Sequence, residues 1–182
     1  MIDFRTESCG LVLLLLLVTL PLMAQKKSAM MLGLNPAVTV EPFYEKGELD
    51  LNILPVVIQK TLTRRVDLRL ISVLNLGIRK TGNQISHVGL EATLPVYLKA
   101  KESLAEPSKG LYLAPGYAFT RNRLGRHSNS SLFLEPGYHL SVSPKMSLTF
   151  GLQFGRTYFA YDDDATRWDG HFGFKLIIGY WL

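Results

Sequence analysis

The chain has 182 residues, with 20 Lys and Arg against 15 Asp and Glu, for a formal charge of +5. That length suits a single domain, and a lone cysteine, Cys9, excludes a disulfide framework. A basic balance points to an anionic partner, and the N-terminal segment indicates which kind.

Leu11–Leu22 (LVLLLLLVTLPL) is an almost unbroken apolar run of about a dozen residues, short of the ~20 that a membrane-spanning helix needs. Met23-Ala24-Gln25-Lys26-Lys27 follows, completing the outline of a secretory signal cleaved after Ala24. Asp3 and Glu7 accompany Arg5, so the n-region is not clearly positive. Cys9 precedes the apolar run, whereas a lipoprotein cysteine would follow it, so Cys9 is not read as an acylation site. Residues 1–24 are expected to be a signal peptide and residues 25–182 the mature domain. Removing residues 1–24 deletes one Arg and two acids and raises the formal charge by one unit. Export makes anionic lipopolysaccharide or peptidoglycan the natural counter-charge, and no nucleic-acid partner is expected.

Beyond Ala29, apolar alternation and turn signals divide the chain into eight expected strands near 31–44, 49–59, 66–79, 86–99, 110–121, 131–143, 145–158 and 169–182. The period of two is clearest in Ser131–Ser143. Leu132, Leu134, Pro136, Tyr138, Leu140 and Val142 take one face; Phe133, Glu135, Gly137, His139 and Ser141 take the other. The third strand opposes Leu68, Leu70, Leu74 and Leu76 to Asp67, Arg69, Asn75 and Gly77. The seventh sets Met146, Leu148, Phe150, Leu152 and Phe154 against Ser147, Thr149, Gly151, Gln153 and Gly155. The second is least regular, because Leu54-Pro55-Val56-Val57-Ile58 is apolar on both faces. A soluble barrel or sandwich also alternates, but its polar face would be rich in charge. Here that face is mostly Gly, Ala, Ser and Thr with isolated charges, as suits the narrow interior of an eight-strand barrel. The expected fold is all-β, an eight-stranded antiparallel up-and-down transmembrane β-barrel.

Ser143-Pro144-Lys145 reads as a tight turn, and Arg121–Ser130 and Phe159–Trp168 read as longer polar loops. Short periplasmic turns and long external loops are the usual asymmetry, with both termini periplasmic. Lys101–Lys109 (KESLAEPSK) is long where that asymmetry requires a short turn. It could dock a periplasmic partner. Leu113-Ala114-Pro115-Gly116-Tyr117 and Leu134-Glu135-Pro136-Gly137-Tyr138 repeat L-x-P-G-Y in neighbouring strands, and such Pro-Gly pairs are expected to be bulges or kinks.

These features, with the aromatic terminus Tyr180-Trp181-Leu182, resemble the small eight-stranded OmpA/OmpX-like outer-membrane barrels and the related outer membrane protein β-barrel domain families. The likeness covers the whole mature chain and is architectural. In such families a final strand ending in an aromatic residue serves as the assembly signal; Leu182 stands here in place of the usual Phe. The resemblance implies residence in a bacterial outer membrane and contact with its lipid and lipopolysaccharide. Members include structural proteins, adhesins and enzymes, so the fold alone names no activity.

If the face assignments hold, Glu41, Arg69, Glu91, Glu135, His139 and Lys175 point into the barrel, where charges must pair or neutralise. Bulky Phe43, Tyr97, Tyr112, Phe133 and Trp181 join them, which implies a side-chain-filled lumen. The expected role is non-enzymatic: a monomeric barrel, structural or interacting through external loops with an extracellular or periplasmic protein. The rival is a lipid-modifying enzyme. Lipid A deacylases, also eight-stranded outer-membrane barrels, carry a His-x-Ser-Asn motif, and His127-Ser128-Asn129 approaches it. A serine nucleophile needs an adjacent base and an orienting acid. Residues adjacent on a strand face opposite ways, and Glu135 is the only nearby acid. Asp162-Asp163-Asp164 could offer oxygen ligands to Ca²⁺ but lacks EF-hand spacing. No phosphate-binding glycine loop or zinc spacing appears, so no cofactor or metal is expected.

Overall fold

The computed structural model describes residues 28–36, 38–39, 45–163 and 165–182. The expected signal segment, together with Glu41, Phe43 and Asp164, lies outside the described residues. Eight antiparallel strands close into a barrel in up-and-down order. They are β1 (Met30–Leu34, continued by Val38–Thr39), β2 (Leu49–Asn52 and Val56–Thr61), β3 (Asp67–Ile78), β4 (Gln84–Thr93 and Val96–Tyr97), β5 (Gly110–Asn122), β6 (His127–Ser141), β7 (Met146–Tyr161) and β8 (Thr166–Trp181). Each pairs with its sequence neighbour, and β8 returns to β1 through Met31↔Trp181 to Leu34↔Ile178. The end carrying Met30 and Trp181 is the base of the barrel.

Two interruptions follow from prolines. In β2 the ladder breaks over Ile53-Leu54-Pro55, and side chains replace the lost backbone bonds. Asn52 Nδ2 donates to Ser72 O (3.1 Å), Leu54 N donates to Asn52 Oδ1 (3.2 Å), and Val56 N donates to Ser72 Oγ (3.1 Å). The Ser72 hydroxyl in turn donates to Leu54 O at 2.5 Å. In β4 the break falls at Leu94-Pro95. Leu94 N donates to Pro115 O (3.0 Å), so Pro115 turns its donor-less edge toward an interruption already present.

The Pro-Gly repeats are not bulges. β5 and β6 hold one register from Gly110↔His139 to Asn122↔His127, straight through both motifs. Each glycine instead faces a large ring on the neighbouring strand. A Cβ on Gly116 would stand 2.3 Å from the Phe133 ring, and one on Gly137 would stand 2.4 Å from that of Tyr112. Tyr112 pairs with Gly137 and Gly116 with Phe133, so the repeat sets ring over glycine twice across one strand pair. The register shift in the β3–β4 pair lies between Asn75↔His87 and Leu76↔Ile85. The extra residue, Ser86, is buried along with His87, so both enter the lumen from adjacent positions.

The long loops expected at Arg121–Ser130 and Phe159–Trp168 are also corrected. β5 and β6 pair to their tips, and β7 and β8 pair to Ala160↔Thr166, leaving only 123–126 and 162–165 as connections. Asn122 Oδ1 accepts from Leu124 N (2.9 Å) and Gly125 N (2.7 Å), and Arg126 adopts a left-handed φ of 49°, which closes the first of these turns. Polar composition there reflects strands that continue upward with polar faces. At the base, Ser143 Oγ accepts from Met146 N (3.0 Å) in the tight turn, and the long connection is 98–109.

Burial is inverted relative to a water-soluble domain. The outward residues are large and apolar, with Leu98 at 68%, Phe172 at 71% and Leu132 at 61% exposed. The inward ones are largely polar or charged, with Arg69, Glu135, Asp67 and Gln59 at 0%.

Candidate functional site

Among the described residues, many chemistry-bearing side chains meet in the lumen, and its centre is Glu135. One carboxylate oxygen accepts from Arg69 Nη1 (2.9 Å) and from the Tyr112 hydroxyl (2.7 Å). The other accepts from Gln153 Nε2 (3.0 Å) and from Lys175 Nζ (2.8 Å). Lys175 also bonds Glu91, and Gln153 Nε2 reaches the same Glu91 oxygen at 3.2 Å. Arg69 donates Nε to Gln59 Oε1 (2.8 Å), and its guanidinium carbon lies 5.1 Å from the centre of the Tyr112 ring. Two cations and two carboxylates thus neutralise one another within one hydrogen-bonded set, which lets buried charge persist in a low-dielectric interior. The pairs cross the barrel, β3 to β6 and β4 to β8. They tie opposite walls together.

Small residues make room for this. A Cβ on Gly151 would lie 2.9 Å from the Glu135 carboxylate, and one on Gly173 would lie 2.6 Å from Gln153 Oε1. Below the centre, Gln59 Nε2 donates to Asp67 Oδ2 (2.6 Å) and to the Tyr97 hydroxyl (3.1 Å). Asp67 also accepts from Ser108 Oγ (2.6 Å), and Lys101 Nζ lies 3.4 Å away. Lys101 donates to Thr61 Oγ1 (2.5 Å) and Ser108 Oγ (2.8 Å). Burial pushes the Lys101 ammonium below its ordinary range, with Asp67 acting against that shift. The 98–109 connection therefore folds back under the barrel and inserts Lys101 and Ser108 into its base. Backbone bonds from Ala29 N to Leu104 O (2.8 Å) and from Lys101 N to Arg64 O (2.9 Å) fasten it.

Of the residues expected inside, Arg69, Glu91, Glu135 and Lys175 come together. His139 is also buried but sits apart from the ionic set. It shares a hydrogen bond with Thr149 Oγ1 (2.8 Å) and packs between the Tyr97 and Trp181 rings. Tyr112, expected inside as a bulky filler, and Gln153, expected on the polar face of its strand, complete the network together with Gln59, whose strand is too irregular in sequence to assign its face. A second polar cluster lies at the far end. Asp50 accepts from Arg79 Nη2 (2.7 Å) and lies 2.9 Å from His87 Nδ1. His87 follows the alternation of Gly89 and Glu91, whereas Ser86 joins it on the inward side only because of the bulge.

His127 and Ser128 occupy opposite faces of β6. His127 is buried against Phe159 and Tyr161, and its Nδ1 is 3.1 Å from Gly125 O. Ser128 Oγ faces outward and accepts from Arg121 Nη1 (3.1 Å). No bond joins the pair, and Glu135 is committed to Arg69 and Lys175. Asp162 is held by Arg121 at 2.6 and 2.7 Å, and Asp163 Oδ1 accepts from Ala165 N (3.2 Å). Among the described residues, no group of three or more His, Cys, Asp or Glu is placed to hold a metal ion.

No family model matches the chain, and neither a curated protein nor a solved structure does.

Proposed function

We propose that this protein is a small, non-enzymatic outer-membrane β-barrel of the OmpA/OmpX-like kind, with a lumen filled by side chains and a structural or surface-interaction role. The observation that carries this reading is the inverted burial. From base to far end the outward faces run Leu111–Phe119 on β5, Leu132–Val142 on β6, Met146–Phe154 on β7 and Phe172–Leu182 on β8, without a charge. Such spans match the ~9–11 tilted residues that cross a bilayer. An apolar surface of this extent is unstable in water but is what hydrocarbon requires. Aromatic side chains border the band. Tyr158 packs on Trp168 (centroids 5.1 Å apart) at the far end, and Tyr180 lies under Lys145 Nζ (5.6 Å) at the base. The base, with Met30, Leu182 and the tight turn, is assigned to the periplasm and the far end to the exterior.

This reading implies that the chain fractionates with outer membranes, and that unheated samples migrate differently from boiled ones on SDS gels. Recovery in the soluble periplasmic fraction, with identical mobility before and after boiling, would refute it.

A further inference from the structure

We infer that the outer wall of the barrel carries a binding site for the headgroup of a phosphorylated glycolipid, centred on Arg156 and bordered by Tyr158 and Trp168. The inference rests on reading the apolar band as bilayer-facing. Climbing the outward faces of β5 to β8 from the base, Arg156 on β7 is the first charge above the band, together with Arg121 on β5. The Arg121 charge is already engaged by Asp162. Arg156 is exposed, and among the described residues no carboxylate lies within ion-pair distance of it.

The neighbours are set by register. Arg156 stands opposite Leu132 of β6 and Gly170 of β8, and nothing lies within 4 Å of where a Cβ on Gly170 would be. The wall beside Arg156 is therefore uncrowded at position 170. One row nearer the far end, Ser130, Tyr158 and Trp168 lie side by side across three strands. The Tyr117 hydroxyl donates to Ser130 Oγ (3.2 Å) beside them. One row nearer the base, Leu134, Phe154 and Phe172 form the top of the apolar band.

From base to far end the wall thus offers hydrocarbon, then a guanidinium without an ion-pair partner among the described residues, then aromatic faces with hydroxyls. A phosphorylated, acylated sugar presents the complementary series of acyl chains, phosphate and sugar ring. Arginine binds phosphate through a planar fork of donors, and the ring faces of a sugar pack on aromatic side chains. A glycerophospholipid supplies the chains and the phosphate but no ring to cover Tyr158 and Trp168. Charge and shape together select the glycolipid.

The test uses the full chain folded in detergent, with bound lipid quantified by native mass spectrometry. The probes are bis-phosphorylated lipid A, dephosphorylated lipid A and phosphatidylglycerol. The expected result is that wild type retains phosphorylated lipid A over both competitors. Arg156→Ala should lower that retention about tenfold, the effect of losing one charge-assisted contact, while Lys145→Ala at the base should leave it unchanged. Trp168→Ala should narrow the preference for lipid A over phosphatidylglycerol. Equal retention by wild type and Arg156→Ala, or equal retention of lipid A and phosphatidylglycerol by wild type, would overturn the site while leaving the barrel reading intact. Absence of a heat-modifiable folded form would overturn both.

Discussion

Glu135 shows how one buried residue carries the interior. Its carboxylate is fully enclosed and accepts from four donors, two of them cationic. Its removal leaves Arg69 and Lys175 buried with one carboxylate, Glu91, between them, and the cost of stranding a buried charge is about 3–5 kcal/mol. Glu135→Ala is therefore expected to lower the unfolding midpoint in urea strongly in detergent or liposomes. Arg69→Ala alone should be similarly harmful, because it leaves Glu135 with Lys175 as its sole cation. The double variant should cost less than the sum of the two, with a coupling of ~0.5–3 kcal/mol, since each single change strands the other's charge. Strict additivity in that cycle would show that the two residues do not act as a pair.

At the scale of elements, the 98–109 connection behaves as part of the barrel wall rather than as a loop. Loops of this length are usually exposed and mobile, yet Lys101 and Ser108 are buried and hydrogen-bonded to Thr61 and Asp67. Lys99 and Lys109 are exposed on the same segment and offer trypsin two sites. Cleavage needs local unfolding, so the folded barrel is expected to resist cutting there. Lys101→Ala removes the anchor, and fragments ending at Lys99 or Lys109 should then appear in limited digests read by mass spectrometry. Rapid cutting of the wild type at both sites would show that the segment is not fastened. The same insertion accounts for a length greater than a turn needs.

Across the whole molecule, the crossing pairs and the inward rings of Tyr97, Tyr112, Phe133 and Trp181, each no more than 5% exposed, occupy the lumen. An eight-strand barrel has an interior just wide enough for side chains to fill. Purified protein in planar bilayers is accordingly expected to show little or no steady conductance. A large, stable, ohmic current in the wild type would mean that the interior is an open pore.

The barrel was legible from the sequence because its signal is local. Side chains alternate with a period of two in any extended strand, so the order apolar-out and small-or-polar-in can be read from Leu132–Val142 or Met146–Phe154 without knowing any neighbour. Those faces needed only the turn residues between the eight expected strands to become an antiparallel order. What the tertiary structure alone decided is who meets whom. Arg69 and Glu135 are 66 positions apart, and Lys175 and Glu91 are 84; their meeting depends on the stagger of strands around the closed wall, which no local pattern encodes. The same holds for Gly116 and Gly137, whose role is the space they leave for Phe133 and Tyr112 on a neighbouring strand, and for Ser86, which the bulge brings inward beside His87. A face is a property of one strand, whereas a contact across the lumen is a property of the register among all of them.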